Sequence, residues 1–198
     1  MKDVIRHYDL LIDEGNDPFR DPPQLQAYMA RWDGETFLEL LELTGTQSVL
    51  EIGVGTGRLA CRIAPRCRCF TGIDLSPKTI ARARENLAGY PHVTLLCGDF
   101  LTFPMQGAFD VICSSLTFLH IEDKEAALCR LASLLVPGGR AVISLDKARD
   151  SVLNYGPRQL RIYPDDPDAI IALAARSGLQ TISVRETEAA HIIAAVTA

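Results

Sequence analysis

The sequence predicts an α/β fold in a single domain, strands alternating with helices, and three observations carry that expectation. Residues 48–64 read as strand, turn and helix: Val49, Leu50 and Ile52 form an apolar run, Gly53, Gly55 and Gly57 alternate, and Arg58 to Ala64 precedes Pro65. Short apolar runs then alternate with stretches of helical periodicity as far as Gly178. Last come two strand candidates, Thr181–Val184 and His191–Val196, joined by a polar turn around Glu186 to Glu188 that is short enough for a hairpin.

Length and composition agree with one globular unit. The chain has 198 residues, 47% hydrophobic and 23% charged, which is enough for a sizeable core without a second domain. Its apolar stretches fall far short of a membrane span, and Asp3 and Arg6 interrupt the start where a signal peptide would need an apolar run, so a cytoplasmic protein is expected. Cys61, Cys67, Cys69, Cys97, Cys113 and Cys129 form no paired Cys-x-x-Cys pattern and read as reduced, mostly buried small hydrophobes. A net charge of −5 disfavours a large nucleic-acid footprint, because sequence-independent binding comes from Lys and Arg neutralising phosphates. Arg58, Arg62, Arg66, Arg68, Arg82 and Arg84 read as scattered surface charges, with room for a small RNA contact.

The glycine-rich turn is the most informative stretch. Glycine is wanted where a Cβ would collide with a ligand lying on the backbone, or where the turn needs angles other residues reach only at a cost. The dinucleotide fingerprint would place a third glycine where this chain has Arg58, and no Gly-Lys followed by Ser or Thr occurs to make a phosphate loop. Glu51 instead stands inside the strand, two residues before Gly53, where a carboxylate suits a cationic group. Over Glu51-Ile-Gly-Val-Gly-Thr-Gly57 the sequence resembles the first motif of the class I S-adenosylmethionine-dependent methyltransferases. In that family the acid interacts with the methionine amino group and the glycines lie beneath the methionine and ribose. The resemblance implies a Rossmann-like three-layer αβα sandwich with a seven-stranded, mostly parallel sheet whose last strand is antiparallel. It further implies an N-terminal helical cap over residues 1–45 and a cofactor-binding core over 46–198.

The remaining elements follow in order. Residues 3–12 place Val4, Tyr8, Leu11 and Ile12 at helical spacing, and a polar loop runs from Asp13 to Pro23. Residues 24–43 read as helical with a break at Asp33-Gly34, and Phe37, Leu40 and Leu41 form the apolar stripe. In the family such helices cap the cofactor and build part of the substrate pocket, so Tyr8, Tyr28, Arg31 and Trp32 are candidates there. Cys69 to Asp74 reads as a second strand, followed by Leu75, the N-cap Ser76 and Pro77 at the first helical position, with Ile80, Ala83 and Leu87 inward and Gly89 ending the helix. Asp74 lies about twenty residues beyond the glycines, as ribose-binding acids do in nucleotide folds, and is expected to accept both ribose hydroxyls. His92 to Cys97 is a third strand ending in Gly98-Asp99; the resemblance gives Asp99 the adenine amino group, and Phe100 offers the base an apolar edge.

Phe109 to Cys113 is the fourth strand, and Ser114 to His120 continues from its carboxyl end, where open α/β sheets hold ligands. A helix beginning at Asp123 has Leu128, Leu131 and Leu135 on one face and stops at Pro137-Gly-Gly. Arg140 to Leu145 is the fifth strand, with Asp146 at its end. A loop spans Lys147 to Pro164, and a helix capped by Asp166 turns Ile170, Leu173 and Ala174 inward.

The function that the resemblance implies is methyl transfer from S-adenosylmethionine, leaving S-adenosylhomocysteine, to an O, N or C nucleophile of a small-molecule acceptor. Positioning and desolvation would do most of the work. His120, which titrates in the useful range, is the candidate base, and Tyr8, Tyr155 and Asp146 are weaker candidates. Glu51, Gly53, Gly55, Gly57, Asp74, Leu75, Asp99, Phe100 and Ser114 form the expected cofactor set. No metal is expected, because Ser114 and Ser115 stand where catechol-type enzymes need acidic and amide ligands, and the Pro-Pro tetrapeptide of DNA amino-methyltransferases is absent. The expected state is a monomer or homodimer. An RNA or protein methyltransferase of the same fold is one alternative, and a non-catalytic cofactor-binding module is the other.

Overall fold

The computed structural model describes residues 1–105 and 107–198. Three helices come first, α1 (Lys2–Asp13), α2 (Pro23–Met29) and α3 (Gly34–Leu40). Then follow β1 (Ser48–Ile52), α4 (Ala60–Ile63), β2 (Cys69–Asp74), α5 (Pro77–Asn86), β3 (Val93–Cys97) and β4 (Phe109–Ser115). The chain continues with α6 (Lys124–Ser133), β5 (Leu135–Asp146), β6 (Val152–Tyr155), β7 (Arg158–Arg161), α7 (Pro167–Arg176), β8 (Leu179–Glu186) and β9 (Ala190–Thr197). Seven strands form one sheet in the order β3-β2-β1-β4-β5-β9-β8, parallel except for β9, which runs antiparallel to both neighbours. This is the mostly parallel αβα sandwich with an antiparallel last strand that the resemblance implies.

Strand parity explains both cores. In β1 all five residues are buried, as a central parallel strand requires. Leu50 and Ile52 meet Ile112, Ile143 and Ile193 on one face, under α6 and α7. Val49 points the other way and meets Val111, Val142 and Ile192 beneath Phe37 of α3, Ile63 of α4 and Ile80 of α5. Glu51 shares the parity of Val49, so a carboxyl group is carried into that second apolar layer and is only 3% exposed. The caps are as expected: Ser76 Oγ accepts from Thr79 N at 3.0 Å, and Asp123 and Asp166 do the same for α6 and α7.

Two expectations are corrected. Leu135 is not on the α6 face: α6 ends at Ser133, and Leu135 opens β5, pairing with Phe109. The register then jumps to Val111 opposite Arg140, so Pro137-Gly138-Gly139 make an irregularity inside the strand rather than a helix stop. The stretch read as a loop from Lys147 to Pro164 contains the β6–β7 hairpin. Its two-residue turn, Gly156-Pro157, has Gly156 at φ +58°, the conformation such tight hairpins demand of their first turn residue. No helix among the described residues is long and apolar enough to cross a membrane.

Candidate active site

A cavity of about 590 Å³ opens where the carboxyl ends of β1, β2 and β4 and the turn after β3 converge. Its floor is the glycine loop, and its roof is α1 together with residues of β7. Helix α1 is docked at both ends of the cavity. Asp9 accepts from Ser76 Oγ at 2.6 Å and from Lys78 N at 3.2 Å, beside the start of α5. At the other end, Arg158 pairs with Glu14 at 2.6 Å, and His7 packs edge-on to Tyr155.

The floor depends on glycine at one position above all. Gly53 has φ +78°, and a Cβ there would lie 1.9 Å from Thr117 Oγ1, so the turn after β4 nests directly on the bare backbone. The N–H groups of Gly53 and Val54 both donate to Ile73 O, at 2.8 and 3.1 Å, which fixes the loop against β2. Gly55 lies open to the cavity and donates to Asp74 Oδ2 at 3.0 Å. Gly57 does not line the cavity, because its missing Cβ faces Leu87, only 3.0 Å from Leu87 Cδ1. Its role is close packing of loop on helix.

The expected acids separate into distinct environments. Glu51 lines the cavity, and its Oε2 is buried without a hydrogen-bond partner. Burial pushes its pKa well up, against the opposing pull of Arg58. Asp74 also lines the cavity; one carboxylate oxygen takes Gly55 N and the other takes Ser76 N, each at 3.0 Å. Burial raises its pKa and those backbone donors oppose the rise. Leu75, Asp99 and Phe100 line the same wall, with Asp99 Oδ1 held by Leu101 N at 2.9 Å. Ser114 does not reach the cavity. By strand parity it faces the α6 side, fully buried, and donates to Ile52 O at 3.1 Å. Its neighbour Ser115 lines the cavity instead.

Opposite the acids, Tyr8 OH lies 2.7 Å from His120 Nε2, and both side chains line the cavity. Burial holds the His120 pKa down to about 4, with His7 and Lys124 adding to the effect. Burial likewise raises the Tyr8 phenol. At neutral pH the pair is therefore an uncharged imidazole bonded to an uncharged hydroxyl.

Of the cap residues expected at the pocket, Tyr8 is there and three others are not. Tyr28 is exposed, Arg31 pairs with Glu188 at 2.7 Å, and the Trp32 indole donates to Asp146 at 3.0 Å. Asp146 is thereby committed to an anchor, and Tyr155 packs on His7 rather than lining the cavity. The segment 31–33 is a clamp: Arg31 O accepts from Ala189 N, Trp32 O accepts from Ser144 Oγ, and Asp33 binds Ser115 Oγ at 2.8 Å. Sequence reading missed Asp33, which is 1% exposed and takes both guanidinium nitrogens of Arg58. Arg58 lines the cavity beside Glu51. The available signal was an acid at a helix break and a lone Arg ending the glycine loop, 25 residues apart, which no local pattern connects.

Comparison with known proteins agrees with this geometry. Residues 49–139 match the methyltransferase domain family model. An uncharacterized methyltransferase of Mycobacterium bovis is 34% identical over 119 residues, which is 60% of this chain and 60% of that protein's own length. The N-methyltransferase NodS from Bradyrhizobium japonicum, solved in complex with S-adenosyl-L-homocysteine, superposes over 98% of both chains with a TM-score of 0.74 at 20% identity. The [4+2]-cyclase SpnF superposes over 98% of this chain and 95% of its own with a TM-score of 0.70 at 18% identity. Likeness at these low identities establishes the fold, which serves more than one chemistry. Residues 49–139 are thus similar to the methyltransferase-domain family, and the chain as a whole has the Rossmann-like fold of the solved structures it superposes on.

Proposed function

We propose that the protein is an S-adenosylmethionine-dependent methyltransferase acting directly, without a metal, on a small-molecule acceptor. The observation that carries the cofactor is Glu51: a buried carboxyl oxygen with no partner, at the floor of a cavity whose backbone is stripped of side chains, calls for a cation brought by a ligand. An α-ammonium answers it. Arg58, beside Glu51, is placed for the carboxylate of the same amino-acid moiety, Asp74 for ribose hydroxyls, and Asp99 with Phe100 for the base. When bound, S-adenosylmethionine supplies a methyl group already activated by its sulfonium.

The chain's own part in the reaction is to align the acceptor, exclude water and receive a proton. Roofing by α1 and β7 leaves one cavity of about 590 Å³ for cofactor and acceptor together, which favours a small acceptor over an RNA or a folded protein. Two of the arginines of the alternative reading are engaged by carboxylates of the chain itself, Arg62 by Glu35 and Arg82 by Asp17 and Glu85. Tyr8 and His120 orient the nucleophile, and His120, kept neutral, takes the proton released on methylation. A base is needed only where the nucleophile arrives protonated, whether it is oxygen or nitrogen. At the end of β4 the hydroxyl of Ser115 donates to Asp33, and Ser114 lies off the cavity with its hydroxyl donating to Ile52 O.

Incubation with methyl-labelled S-adenosylmethionine and a cell extract, followed by separation of small molecules, RNA and protein, tests the proposal. Label in the small-molecule fraction is the expected result. Label in RNA or protein would replace the acceptor class, and cofactor binding with no transfer to any fraction would leave a non-catalytic binding module.

A further inference from the structure

Lys124 stands at the first position of α6, where a positive charge meets the unfavourable end of the helix dipole. Its side chain is only 13% exposed, and its ammonium lies 2.7 Å from a carboxylate oxygen of Asp165, itself 1% exposed. Burying such a pair is costly and seldom adds stability over apolar residues of similar size. The contacts of Lys124 show what the pair does. Nζ donates to Phe118 O, in the turn Phe118–His120, and to Tyr163 O at 3.1 Å, at the end of the hairpin segment. In the same knot Tyr163 N donates to Leu119 O at 2.8 Å, and Tyr163 OH donates to Glu122 at 3.0 Å. Two successive carbonyls of the turn that carries His120 are thus held from outside the turn, and one ammonium joins that turn to the wall formed by Tyr163.

We propose that the Lys124–Asp165 pair is a positioning device for His120, setting the imidazole against Tyr8 and fixing the acceptor end of the cavity. The proposal deepens the reading of His120 as the acceptor-facing base and rests on that reading. The pair sits outside the glycine loop and touches none of Glu51, Asp74 or Asp99, so it acts on the acceptor half alone. Charged and titratable groups around His120 are Tyr8 and His7 of α1, Lys124 of α6, and Glu122, Asp123 and Tyr163 along the same cavity wall.

The test compares the full-length wild type with the double variant Lys124→Met/Asp165→Leu, which removes both charges and strands neither. Long-range proton–nitrogen spectra of histidine-labelled protein read the tautomer and titration of His120, and calorimetry with S-adenosylhomocysteine reads the cofactor half in the same samples. The wild type is expected to hold His120 in one neutral tautomer. In the variant the two tautomers average, His120 titrates closer to its ordinary range, and cofactor affinity stays within about threefold, as for independent sites. An unchanged tautomer and titration of His120 in a folded variant would overturn the proposal. Should the double variant lose its cooperative melt, Lys124→Arg is read in the same way, since a planar fork cannot serve two carbonyls and a carboxylate with the geometry of an ammonium. A wild type that binds no S-adenosylhomocysteine would sink the proposed function, while the His120 comparison would still decide the positioning claim.

Discussion

Replacing Gly53 by alanine tests whether the floor of the cavity is built as described. Two separate costs arise. At φ +78° an L-residue occupies the left-handed region, at roughly 1–2 kcal/mol. The new Cβ would also lie 1.9 Å from Thr117 Oγ1 and 2.8 Å from Thr117 Cβ, so the turn after β4 must lift, losing the bond from Thr117 Oγ1 to Ser115 O, worth about 1 kcal/mol. The sum is about 2–3 kcal/mol, and at about 2–4 °C per kcal/mol for a chain of this size the melting temperature should fall by roughly 5–10 °C. Gly55→Ala is the internal control. At φ +56°, with nothing within 4 Å of its Cβ, it carries the backbone cost of roughly 1–2 kcal/mol alone and should fall by about 2–8 °C, less than Gly53→Ala by the contribution of the Thr117 contact. Thermal denaturation by circular dichroism on the two variants separates the terms. A Gly53→Ala protein that melts no lower than Gly55→Ala would refute the nesting of Thr117 on the loop.

Three further outcomes are expected. His120 has its pKa lowered to about 4, so the folded state binds fewer protons than the unfolded chain between that value and the ordinary 6.5. Its contribution is complete above pH 6.5 and is lost as pH falls through that window, by about 3 kcal/mol at most, and His7 pulls in the same direction; urea midpoints measured from pH 7 to 4 should fall accordingly, and Tyr8→Phe should leave the slope but lower the plateau. Glu51, with its pKa raised by burial, should release a proton when an ammonium arrives, so the calorimetric heat of S-adenosylmethionine binding should depend on the buffer's ionisation enthalpy, and Glu51→Gln should abolish that dependence. Asp33→Asn should keep the helix cap but loosen Arg58, weakening S-adenosylhomocysteine by about tenfold in a direct titration, whereas Glu35→Gln, which touches only Arg62 at the surface, should leave it unchanged.

Much of the fold was legible because it depends on local patterns. Gly53 to Gly57 after an apolar strand, Ser76-Pro77 opening α5 and Asp166-Pro167 opening α7 are signals that need no knowledge of tertiary contacts. The β6–β7 hairpin escaped because β6 is exposed throughout and carries no inside-outside alternation, although Tyr155-Gly156-Pro157-Arg158 held the turn signal. Leu135 was misassigned because helical spacing persists for two residues after α6 has ended at Ser133, and periodicity alone cannot see β5 pairing with Phe109. At the site, Glu51, Gly53, Gly55, Asp74, Asp99, Tyr8 and His120 come together around one cavity. What sequence could not show is which charges are buried. Asp33, Arg58, Lys124 and Asp165 look like solvated residues in a list of letters, and only the fold brings 33 to 58 and 124 to 165.

Titration of S-adenosylhomocysteine into wild type and Asp74→Ala, followed by calorimetry, tests the central claim most directly. Asp74 accepts from Gly55 and Ser76 within the cavity and, under this account, has lone pairs left for ribose hydroxyls, each charge-assisted bond contributing on the order of 1.5–3 kcal/mol. One site is expected in the wild type and a loss of affinity of at least about tenfold in the variant, with the cooperative melt retained. Equal affinity in the two proteins, or no binding to the wild type, would contradict it.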